Sequence, residues 1–82
     1  MTNAERQLLI TNIGRLTARI DSYRRISSEK KKMAFDNAEC GYRESAQFDK
    51  GQAFALGYVV DDLQIVLDSL NDLLSLEVPG NE

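Results

Sequence analysis

Residues 53–76, "AFALGYVVDDLQIVLDSLNDLLSL", constrain this chain more than any other stretch. Leu56, Val59, Leu63, Val66, Leu70 and Leu73 recur at steps of three and four. That spacing returns to one face of a helix and excludes a period-two strand. Beside this row stands another, Val60, Leu67 and Leu74. A two-stranded coiled coil requires one narrow seam, whereas a helix touching two neighbours requires a wider stripe. The run therefore predicts a long helix with more apolar surface than one partner helix covers.

A second helix is legible at the N-terminus. Thr2-Asn3-Ala4-Glu5 has the pattern of a capping box, in which the Thr2 hydroxyl accepts from the Glu5 N–H and the Glu5 carboxylate reaches back. Leu9, Ile13, Leu16, Ile20 and Tyr23 then step by four and three, with Leu8, Ile10 and Ile26 beside them. Gly14 lies inside this run and costs about 1 kcal/mol relative to Ala.

The linking segment has no proline and is poor in large apolar residues, so it reads as helix broken by one turn. Asp36 is a candidate cap for a second helix, through Asp36-x-x-Glu39. Gly41 is a candidate left-handed stop for the first. A turn at Ser27-Ser28 is a third option and leaves arms of very unequal length. The expected organisation is a single domain over 1–82, with a helix at about 3–36, a turn near 36–43, a helix at about 43–77 and a short tail at 78–82. Pro79 and Gly80 supply the stop. An apex near residue 40 sets Met33 beside Phe48, Ile26 beside Ala55, Tyr23 beside Tyr58, and Leu16 beside Ile65 or Val66. The fold class is all-α, an antiparallel helical hairpin with a coiled-coil seam.

Eighty-two residues bury a modest fraction of their surface, and Cys40 is the lone cysteine, so no disulfide braces the fold. Well-packed helices or oligomerisation are the remaining sources of stability. A homodimer forming a four-helix bundle is expected, with Val60, Leu67, Leu70, Leu74 and Leu76 at its interface.

Charge is divided along the chain. Residues 1–32 carry eight Lys/Arg against three acids, a net +5; residues 33–82 carry two against ten, a net −8. Asp61, Asp68 and Asp72 share one side of the second helix, with Asp62 nearby, and no Lys or Arg follows Lys50. Arg15 and Arg19 are the expected internal counter-charges; a basic protein partner is the other source. Tyr42, Phe54 and Tyr58 are candidate apolar anchors for such a partner. A rival use is nucleic-acid contact through Arg15, Arg19, Lys30, Lys31 and Lys32, which the acidic pI of about 4.9 disfavours.

Catalytic and metal signatures are missing. Histidine is absent, no glycine-rich phosphate loop is present, and no Cys/His/acid cluster has ligand spacing. The chain is expected to be no enzyme and to hold no cofactor or metal. Its N-terminus lacks a basic region and cleavage site, and it has no membrane-length apolar stretch. With one free thiol, the expected location is the cytoplasm.

The phrase "KGQAFALGYVVDDL" resembles small phage and prophage accessory proteins: Gly51, Ala55, Leu56, Tyr58, Val59 and Leu63 stand where those proteins have Gly, a small-Leu step and Tyr-Val-x-x-x-Leu on a terminal helix. The resemblance covers about a sixth of the chain and carries no functional residue across. That group includes inhibitors of host defence such as anti-CRISPR proteins. The resemblance implies a non-enzymatic protein that occludes a surface on a host protein, in the host cytoplasm. A purely structural assembly subunit is a further reading.

Overall fold

The computed structural model describes residues 1–76. It is an all-α hairpin of two helices, α1 (Asn3–Glu39) and α2 (Arg43–Leu76), packed antiparallel in a rod 63 Å long and about 16 Å across. The expected helix end at 77 and the tail at 78–82 lie outside the described residues.

The capping box forms as the sequence implies. Glu5 N–H donates to Thr2 Oγ1, and Thr2 N–H donates to Glu5 Oε1, each at 3.1 Å. The backbone bond from Thr2 and the hydroxyl beside it hold the Glu5 carboxyl below its ordinary value. A lowered carboxyl pKa adds stability at neutral pH that is lost as pH falls through the acid range.

Gly41 makes the turn. Its φ of +81° is the left-handed conformation that glycine alone adopts cheaply. Around it, Tyr42 N–H donates to Asn37 C=O and Gly41 N–H donates to Ala38 C=O, the paired bonds of a Schellman stop. Asp36 caps no second helix; its carbonyl accepts from Cys40 N–H, inside the last turn of α1. Gly41→Ala is expected to cost about 1–2 kcal/mol, because it forces a side chain into left-handed backbone. Gly14→Ala is expected to do the reverse. A Cβ at Gly14 meets nothing within 4 Å, so the substitution gains about 0.5–1 kcal/mol of helix propensity. Chemical denaturation of the two variants at one fixed protein concentration checks both signs.

The α1 seam is the expected one. Leu9 and Ile20 are buried, and Ile13, Leu16 and Tyr23 are half-buried against the core. The phase of α2 differs from expectation. Val60 is 5% exposed and its neighbour Val59 is 42% exposed. The inward row runs Asp49, Ala53, Leu56, Val60, Leu63, Leu67, Leu70 and Leu74, each buried or half-buried. Val60, Leu67, Leu70 and Leu74, expected at a dimer interface, therefore fill the seam within one chain. Leu76 stays exposed. Val59, Val66 and Leu73, expected in the seam, lie outside it. The expected partners Phe48, Tyr58, Ile65 and Val66 likewise point away from the seam, exposed. Ile20 instead meets Val60 and Leu67, with Leu63 against the same cluster.

Toward the apex the seam turns polar. Ser27, buried, donates through Oγ to the Ala53 carbonyl at 3.0 Å. Asp49, also buried, accepts from Asn37 Nδ2 at 2.8 Å and faces Lys30 Nζ at 3.9 Å. These bonds satisfy groups whose burial would otherwise cost about 1–3 kcal/mol each, and they fix the register in the half of the rod where aliphatic contacts are fewest.

Candidate docking surface

The two long sides of the rod differ in chemistry. On one side Arg24 Nη2 donates to Gln64 Oε1 at 3.1 Å, and Gln64 Nε2 donates to Asp68 Oδ1 at 2.9 Å. Lys31 and Asp61 line a shallow groove with Arg24 on that side. On the other side Met33 and Phe48 line a groove together near the apex. Steps of seven residues from Met33 lead to Ile26 and Arg19. On α2 the same helical step links Val59, Val66 and Leu73 in the row next to the seam.

The back of α2, away from α1, carries a third feature. Phe54, Tyr58, Asp61, Ile65, Asp68 and Asp72 recur at steps of four and three, so they form one continuous outward ridge. All six are exposed; Tyr58 is 71% exposed and Ile65 66%. Phe54 and Tyr58 stand toward the apex, Ile65 lies between Asp61 and Asp68, and the carboxylates prevail at the open end of the hairpin. Lys50 Nζ sits 5.8 Å from the Phe54 ring centroid and partly covers that face.

The structure brings Asp61, Asp68 and Asp72 together with Phe54 and Tyr58 on this ridge. It separates Asp62, which lies on the flank shared with Val59 and Val66, and Tyr42, which stands exposed in the turn. Ile65 belongs to the ridge, although it was expected, as one of two alternatives with Val66, beside Leu16 of α1. Its signal was the spacing itself: 54, 58, 61, 65, 68 and 72 make a row as regular as the seam.

The expected counter-charges do not reach the acids. Among the described residues, neither Arg15 nor Arg19 makes an ion pair or a side-chain hydrogen bond to α2. Asp68 is held instead by the neutral amide of Gln64. Of the lysines proposed for nucleic acid, Lys30 is half-buried and turned toward Asp49, while Lys31 and Lys32 are exposed. Arg15, Arg19, Lys31 and Lys32 do not gather on one face, because their spacing places them around α1.

The concavities are open grooves. One of them, about 510 Å³ near the apex, is lined by Ala34, Ala38 and Ala46 with Arg43, Gln47 and Lys50. Among the described residues no three His, Cys, Asp or Glu side chains come together as metal ligands, and no helix is long and apolar enough to cross a membrane. Cys40 is an exposed free thiol at the end of α1. No protein-family model, curated protein or solved structure significantly matches the chain.

Proposed function

We propose that this chain is a non-enzymatic protein-binding module that docks through the outward ridge of α2. The observation that carries the reading is that Phe54, Tyr58 and Ile65 share one exposed ridge with Asp61, Asp68 and Asp72 on the back of α2. Helix-in-groove recognition uses anchors at this spacing, with apolar residues for affinity and charges for choice of partner. None of the three carboxylates is in an ion pair among the described residues, although Asp61 shares a groove with Arg24 and Lys31; exposed and unpaired, they favour a basic groove. Occlusion of a host-protein surface, the mode implied by the likeness to phage-encoded inhibitors, is the use we assign to it. Host cytoplasm is the corresponding location.

The test is capture from a bacterial lysate with wild-type protein and two variants. A specific partner should be retained by wild type and lost by about tenfold or more with Tyr58→Ala plus Ile65→Ala, as for anchor residues. Asp68→Lys should weaken it in a salt-dependent way. The reading fails if the captured protein is indifferent to the ridge. It also fails if the dominant ligand is DNA, bound with steep salt dependence and released by Arg15→Ala with Arg19→Ala.

A further inference from the structure

We infer that a second copy of this chain packs on the flank formed by Val59, Val66 and Leu73, with each α1 lying beside the partner's α2. This surface is separate from the outward ridge. Val59, Val66, Leu73, Met33 and Phe48 are all exposed, and the half-buried Ile26 sits among them on α1. They follow one side of the rod, opposite the Arg24–Gln64 bond. From Phe48 to Leu73 the stripe is about 38 Å long at 1.5 Å per residue. Across a rod about 16 Å wide, that projects to roughly 600 Å², close to the ~800 Å² each partner contributes to a stable dimer.

The architecture agrees: a two-helix rod has one buried seam, and two rods packed side by side hide one flank each.

Charge selects the arrangement. Arg19 and Asp62 flank the stripe on opposite helices, near the level where Ile20 meets Val60 and Leu67. Neither has an ion pair or side-chain hydrogen bond among the described residues. Packing α1 against the partner's α1 sets Arg15 and Arg19 against the same arginines. Packing α1 against the partner's α2 sets Arg19 level with Asp62, twice per dimer by symmetry.

Sedimentation equilibrium from low to high micromolar concentration tests this, with helicity followed by circular dichroism. Wild type is expected to be a dimer. Val66→Lys should raise the dissociation constant by about tenfold or more. Ile65→Lys, one residue away on the ridge, should leave it unchanged. Should Val66→Lys lose helicity, the charge swap decides. Arg19→Glu and Asp62→Lys should each weaken the dimer, and the two together should restore it. A single-chain mass for wild type overturns the inference. So does a dimer that Val66→Lys leaves intact, or a double swap no tighter than either single one. A monomer that still captures its partner through Tyr58 would separate this failure from failure of the docking reading.

Discussion

Ile20→Ala is expected to destabilise the hairpin by about 2–5 kcal/mol, the range for removing a fully buried aliphatic side chain. Ile20 is 1% exposed and is the largest side chain fully hidden in the structure. It stands between Val60 and Leu67 with Ile13, Leu16, Tyr23 and Leu63 around them. A two-helix seam has no second layer to slide into the gap, so the cavity term is paid nearly in full. Domains of this size have only a few kcal/mol to lose. The variant should therefore show a large loss of helical ellipticity at room temperature or a midpoint far below wild type. Urea titration followed at 222 nm measures it, at one protein concentration. A midpoint within experimental error of wild type would mean that Ile20 is not the keystone its burial implies.

Ala53→Leu is the second large effect, with a cost of about 1–3 kcal/mol or more. Ala53 is 2% exposed, and its carbonyl accepts the Ser27 hydroxyl at 3.0 Å. A side-chain hydroxyl can touch the opposite backbone only where the helices approach closely, and small residues on both sides permit that. A leucine there must push α1 away or leave its rotamer, and the Ser27 bond breaks in the first case. The effect should be local at first: hydrogen exchange should rise from Ser27 to the apex before it rises near Ile20. Ala53→Ser, nearly the same size, should be tolerated far better. Equal protection in wild type and Ala53→Leu would show that the helices are already loose at this level.

These two sites also mark what could be read beforehand. The α1 seam was legible because Leu9, Ile13, Leu16, Ile20 and Tyr23 form one clear row. The turn was legible only as a span: Asp36, Gly41 and Ser27-Ser28 were all candidates, arms of similar length favoured 36–43, and Gly41 with its φ of +81° makes it. The phase of α2 was not, because two adjacent rows are apolar and both keep the three-four rhythm. Size and shape distinguish them. The buried row is Leu56, Val60, Leu63, Leu67, Leu70 and Leu74, and it is nearly all leucine; the uncovered row is Val59, Val66 and Leu73. Its continuation through Ala53 and Asp49 toward the turn disguised it. A carboxylate is a poor marker of an interior until Asn37 and Lys30 are seen beside it. The outward ridge of α2 was half legible. Its aspartates and aromatics were singled out as separate groups, and the register that joins them through Ile65 depends on the phase of the helix.

The antiparallel path has a mechanical consequence. Asn3 and Leu76 leave the rod at the same end, and Gly41 closes the other. A force pulling the two ends apart acts on the seam contacts nearest Asn3 and Leu76 before any other, then on the next. The rungs yield in turn, like a zip, and no pair shares its neighbour's load. Shear along the rod would engage every rung at once. The molecule should thus part at low tension when drawn from its termini, the last contacts to give being those at Asn37 and Asp49.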